Sequence, residues 1–142
     1  MFRRIALVGV ALVLVSCSDC GTKCTQGITF AVADVAGALA RGTEQPLKIC
    51  FDGQCRDITI KRANTGGSVF LPFAGVGTTG DHHLTVSGSA SMKGDYNGPL
   101  ASYSQKTGCG TCALATVKIG ADGAITPGVP IGPAPSTTTT AG

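Results

Sequence analysis
Apolar and polar residues alternate along several stretches of this chain with the period of two that marks a half-buried strand. Ile28, Phe30 and Val32 alternate with Thr29 and Ala31. Leu47 to Phe51 and Cys55 to Ile60 flank Asp52-Gly53-Gln54, and Ser68 to Phe73 is a short strand stopped near Pro72. From His83 to Met92 the residues Leu84, Val86, Gly88, Ala90 and Met92 share one face, opposite Thr85, Ser87, Ser89 and Ser91. Ala113, Ala115, Val117 and Ile119 lie together in the same way, and Asp122-Gly123 turns the chain into Ala124-Ile125. Val35 to Arg41 fits either a helical turn or a continued strand, ended by Gly42. No long stretch has helical periodicity. The pattern predicts an all-β chain, a small antiparallel β-sandwich of about seven strands.

The strongest local signal is Asp52-Gly53. It fits a two-residue type I′ turn, where both central residues need positive φ. Phe51 and Gln54 then close the turn, and Cys50 faces Cys55 as a non-hydrogen-bonded pair with Cα atoms about 4.5 Å apart, within disulfide reach. The same register sets Lys48 against Asp57 and Leu47 against Ile58, both favourable cross-strand pairs. A Cys50–Cys55 disulfide is therefore expected, with a role in fixing register.

The first sixteen residues differ in kind. Arg3-Arg4 precede an apolar run of 11 residues, Ile5 to Val15, and then Ser16-Cys17. That is the layout of a secretory signal, too short for a spanning helix of about 20 residues. Leu14-Val15-Ser16-Cys17 resembles the bacterial lipobox. The resemblance implies that the Cys17 thiol receives a diacylglyceryl group and that cleavage falls just before it. The alternative is an ordinary cleaved signal, with Cys17 as one more disulfide cysteine. The chain has seven cysteines, and lipidation of Cys17 accounts for the odd one. Export also implies an oxidising compartment in which disulfides persist.

Four cysteines then remain beside Cys50 and Cys55: Cys20, Cys24, Cys109 and Cys112. Crossed disulfides between the two motifs, pairing within each motif, a four-thiolate zinc site and a redox dithiol at Cys109-Gly110-Thr111-Cys112 all fit the spacing. The oxidising compartment weighs against zinc. A strand after Cys112 weighs against the redox reading, because reactive dithiols usually sit at a helix N-terminus.

Charge changes once the signal is set aside. Of 11 Lys and Arg, removal of Arg3 and Arg4 leaves nine against eight Asp and Glu, so the mature chain is nearly neutral. Clustered basic residues for nucleic acid are missing, and with no Trp and 5% aromatics stacking platforms are scarce. The composition predicts that the segment from Pro127, with four prolines and the run Thr137 to Thr140, is disordered. The expected organisation is a signal at 1–16, a short lipid-anchored tether at 17–23, a β-sandwich domain at 24–126 and a Pro/Thr-rich tail at 127–142.

About seven short strands in about one hundred residues resemble the immunoglobulin-like architecture. A cysteine before the first strand, the Cys-x-Asp-Gly-x-Cys hairpin and a late Gly-Cys-x-x-Cys are similar to small exported proteins of actinobacterial type. That resemblance implies no activity. His82 and His83 follow the Gly77-Thr78-Thr79-Gly80 turn and read as a solvated strand start on opposite faces. Asp52 and Asp122 read as turn residues. No carboxylate pair, Ser/His/Asp set or phosphate-cradling loop has recognisable spacing. The expectation is a non-enzyme without cofactor, held to the extracytoplasmic face of a cell membrane through lipid on Cys17. It would serve as a binding module for an envelope partner, through the loops Asn64 to Gly67, Gly75 to Asp81 and Gly94 to Pro99. The alternatives are a prophage-encoded lipoprotein that blocks a second phage, with a phage protein as partner, and a small metal or thiol-redox lipoprotein using Cys109 and Cys112.

Overall fold
A computed structural model describes residues 25–63, 67–89, 91–107 and 110–129 of the chain. The signal, the tether, Asn64 to Gly66, Cys109 and residues 130–142 lie outside the described residues. The element order is β1 (Gly27–Ala31), α1 (Ala33–Ala38), β2 (Glu44–Phe51), β3 (Gln54–Lys61), β4 (Ser68–Pro72), β5 (Asp81–Ser87), β6 (Lys93–Pro99), β7 (Ser102–Thr107), β8 (Gly110–Ile119) and β9 (Ile125–Pro127). They form two sheets, one in the order β4-β1-β8-β7 with β9 also on β8, the other β3-β2-β5-β6. The arrangement is consistent with a β-sandwich.

The period-two pattern explains the core. Ile28 and Phe30 of β1, Leu71 of β4, and Ala113, Ala115, Val117 and Ile119 of β8 are buried on the first sheet. Leu47, Ile49 and Phe51 of β2, Ile60 of β3, and Leu84 and Val86 of β5 are buried on the second. All belong to one apolar cluster. The segment at Val35 resolves as a helix, and its buried Val35 and Ala36 join the same cluster. Gly42 follows with φ 76°, the left-handed conformation that ends the segment.

The β2–β3 hairpin forms as its sequence predicts. Asp52 and Gly53 have φ of 46° and 83°, the two positive values of a type I′ turn. Cys50 pairs with Cys55, Lys48 with Asp57, and Leu47 with Ile58. Cys50 and Cys55 are disulfide-bonded, with Cα atoms 4.0 Å apart. The ring encloses only a short loop, so chain entropy gives it about 2 kcal/mol. Replacing both cysteines by alanine should lower the melting temperature by about 10 °C, read by thermal denaturation against the native chain.

Three expectations need correction. The first sheet is mixed and not purely antiparallel: β1 runs parallel to β8, with Gly27 opposite Leu114 and Ala31 opposite Lys118. The β7–β8 hairpin delivers β8 at the same end where β1 begins, so the two strands run the same way. The predicted strand from His83 to Met92 ends at Ser87. There the Met92 N–H donates to the Ser89 carbonyl (2.8 Å) and the Gly88 N–H to the Met92 carbonyl (2.9 Å), which reverses the chain. Finally, Gly94 to Pro99, expected as a loop, belongs to β6, paired along its length with β5.

Candidate functional site
One end of the sandwich gathers the polar groups that hold the most specific partners. The β2–β3 turn, the segment from Phe73 to Gly80, and the start of β5 meet there. The turn requires a residue that tolerates left-handed φ at position 52, and Asp does so at low cost. Its carboxylate is then turned toward β5. Asp52 Oδ1 accepts from the His83 backbone N–H (2.8 Å), and the Asp52 N–H donates to the His83 carbonyl (2.9 Å).

His82 occupies the inner-face register of Leu84 and Val86 and is only 3% exposed. Its ring lies against Phe51, with centroids 4.9 Å apart and planes at 29°. Nδ1 lies 2.6 Å from Asp52 Oδ2, and Nε2 lies 3.0 Å from the Thr78 carbonyl oxygen. Both partners are acceptors, a geometry that suits a ring donating from both nitrogens, as the imidazolium does. Burial pushes the His82 pKa down, but the Asp52 hydrogen bond, the Thr78 carbonyl and the charges of Asp52 and Asp81 outweigh it. The net shift is upward from 6.5. For Asp52, burial pushes upward, and the hydrogen bonds from His82 and the His83 backbone, with the histidine charges, prevail. Its carboxyl is held below the ordinary 3.8.

The surrounding segment is tied down as well. Thr78 donates its N–H and its hydroxyl to the Gly75 carbonyl, at 3.1 and 2.7 Å. The Gln54 amide both donates to and accepts from the Ala74 backbone, at 3.0 Å each way. Arg56 caps the Phe73 ring at 5.6 Å, and Phe73 reaches Phe51 at 5.6 Å. Among the described residues no buried side-chain nitrogen or oxygen lacks a partner. Both ring nitrogens of His82 lie within hydrogen-bond distance of protein oxygens. It ties the β2–β3 turn to the Thr78 segment from inside the domain.

The adjacent histidines do face opposite ways. His83 is exposed on the outer face, where Nε2 lies 3.0 Å from Asp95 Oδ1. The solvated reading therefore holds for His83 and fails for His82. The signal that places His82 was in the sequence: it shares the parity of Leu84 and Val86. Its partner Asp52, 30 positions away, had no such mark.

The outer face of the second sheet carries the Cys50–Cys55 disulfide beside Lys48, Asp57, Thr85 and Asp95. A shallow groove of about 450 Å³ crosses it between Pro46, Lys48, Asp57, Thr59 and Ser87. Its two charged residues, Lys48 and Asp57, are opposite in sign and paired across the strands. Of the other cysteines, Cys17, Cys20, Cys24 and Cys109 lie outside the described residues. Cys112 is 3% exposed and is engaged in a disulfide. It sits in a strand, β8, and not at a helix N-terminus. Among the described residues no three His, Cys, Asp or Glu side chains cluster as metal ligands, and no helix is long and apolar enough to cross a membrane.

No known protein family, curated protein or solved structure matches the chain. The functional reading therefore rests on the residues themselves.

Proposed function
We propose that this chain is an exported bacterial lipoprotein, held to the extracytoplasmic face of a membrane by lipid on Cys17. Its β domain, a small immunoglobulin-like sandwich, is a non-catalytic binding module for an envelope partner. The observation that carries the reading is Leu14-Val15-Ser16-Cys17, closing a segment of two arginines and an 11-residue apolar run. The disulfide at Cys50–Cys55 and the bonded state of Cys112 support it, because both need the oxidising side of a membrane. Stable anchoring takes two acyl chains at about 0.8 kcal/mol for each buried CH2, and a diacylglyceryl group supplies two.

The reading also says at which end the tether joins the domain. Gly27 opens β1 at the end that carries the Asp52-Gly53 turn and the Thr78 segment. The Phe73 N–H donates to the Gln26 carbonyl there (3.3 Å). Cys17 precedes Gly27 by ten residues, a reach of at most about 35 Å. The tether therefore joins the domain at the Asp52–His82 end, opposite α1 and the Gly88–Met92 and Gly120–Gly123 turns.

Metabolic labelling with a radioactive fatty acid in a bacterial host tests the anchor. Label should enter the native chain, and its mature N-terminus should be residue 17. Cys17→Ala should remove the label and leave the signal uncut. Label that persists in the variant, or a mature N-terminus elsewhere, refutes the proposal.

A further inference from the structure
β3 and β6 are the two edges of the second sheet. β6 carries Gly94 and Gly98 and ends at Pro99, and β4, at an edge of the first sheet, ends at Pro72. Proline blunts an edge because it offers no N–H, and glycine weakens a strand. β3 runs from Gln54 to Lys61 with neither residue. The hairpin fixes where its backbone groups point. Cys50 and Cys55 have Cα atoms 4.0 Å apart, the close spacing of a non-hydrogen-bonded pair. Ladder bonds to β2 therefore come from Gln54, Arg56, Ile58 and Ile60, and the backbone groups of Asp57 and Thr59 point away from β2. Both of these residues are exposed.

Charge selects what pairs there. Across the hairpin Lys48 faces Asp57 and Glu44 faces Lys61, with Lys61 Nζ 3.0 Å from a Glu44 oxygen. The edge thus reads Asp57, Ile58, Thr59, Ile60, Lys61, negative at one end and positive at the other. We propose that β3 pairs antiparallel with β3 of a second copy about a two-fold axis at Thr59, joining two four-stranded sheets into one. Thr59 then exchanges N–H and C=O with the partner's Thr59, and Asp57 falls opposite the partner's Lys61. On the outer face this makes a row of Lys48, Asp57, the partner's Lys61 and the partner's Glu44, alternating in sign, and the axis repeats it. Asp57 joins the ion pair that Lys61 already makes with Glu44. Ile58, half-buried at the edge, lies opposite the partner's Ile60, a favourable cross-strand pair. Centring the axis on Asp57 or on Lys61 instead sets like charges face to face, which disfavours those registers. The like charges that the Thr59 register opposes are Arg56 and Arg62, and both are drawn aside. Arg56 lies over the Phe73 ring at 5.6 Å, and Arg62 Nη1 donates to the Leu39 carbonyl at 2.9 Å.

Cross-linking of the full chain in a bacterial host, with oxidant added before lysis, tests the pairing whether or not the chain carries lipid. At the axis the two Cα atoms of a hydrogen-bonded pair stand about 5.5 Å apart, within disulfide reach. Thr59→Cys should therefore give a reducible dimer on a non-reducing gel that the native chain does not give. Adding Asp57→Lys opposes cations in both halves of the interface and should cut the dimer yield about tenfold. Adding Lys61→Asp as well reverses both signs and should restore it. Without any introduced cysteine, two differently tagged copies should co-purify. Thr59→Pro, which removes only an N–H that points away from β2, should abolish that co-purification and leave the thermal melt of dilute protein close to native. Failure of Thr59→Cys to cross-link, a yield indifferent to charge reversal, or co-purification that survives Thr59→Pro overturns the proposal.

Discussion
His82→Ala should lower the stability of the domain by about 3 kcal/mol, a fall in melting temperature of about 15 °C. The variant removes a buried ring stacked on Phe51 and strands the Thr78 carbonyl. It also leaves the Asp52 carboxylate without its cation. The pH dependence separates this tie from ordinary packing. The His82 pKa is raised in the folded state, so its contribution is complete below the unfolded value of 6.5. It is lost as pH climbs from there through the folded value. The Asp52 pKa is depressed, so its contribution is complete above 3.8 and lost as pH falls through the lower folded value. The pair therefore stabilises most between these limits. Melting temperature should decline from pH 6.5 toward pH 9 in the native chain, and His82→Gln should flatten that decline. Equal slopes for the two proteins would show that His82 is not protonated in the fold. Nitrogen NMR shifts of the imidazole report the same state directly.

Local chemistry made part of this fold legible. The β2–β3 hairpin needs only the turn preference of Asp-Gly and the register that follows, so its pairing and its disulfide could be read from six residues. β8 was nearly as plain, because Ala113, Ala115, Val117 and Ile119 share one parity, with Thr116 and Lys118 on the other and only Leu114 breaking the alternation. The sequence misled where alternation outran the strand. Gly88 and Met92 keep the parity of Leu84 and Val86, yet the chain has turned by then. β6 escaped because Lys93-Gly-Asp-Tyr-Asn-Gly-Pro has no apolar rhythm. It is an edge strand with Tyr96 only half-buried, held by backbone pairing to β5. The parallel pairing of β1 with β8 had no signal, since a period of two does not say which strand lies beside which. The Asp52–His82 tie was hidden for the same reason. Each residue had a sufficient local explanation, one as a turn former and the other as part of a polar strand start. Only the tertiary pairing of β2 with β5 joins them.

Phe51 is where the two kinds of information meet, and its removal should be the most damaging single change. Phe51→Ala is expected to cost about 4 kcal/mol in urea denaturation, within the span for buried Phe. The side chain is fully buried. It is the last residue of β2 before the turn, and it touches both Phe73 and the His82 ring. Truncation opens a cavity under the turn and also removes the surface on which the His82 ring rests. Two observations would distinguish this from a generic core defect. Phe51→Leu, which refills most of the volume, should recover more than half of the loss while keeping the pH profile of the native chain. The double variant Phe51→Ala/His82→Ala should cost less than the sum of the two single changes, because each removes part of the contact the other depends on. Strict additivity would mean that the ring contact contributes nothing. The turn, the Thr78 segment and β5 would then be independent pieces, not a single rigid end of the domain.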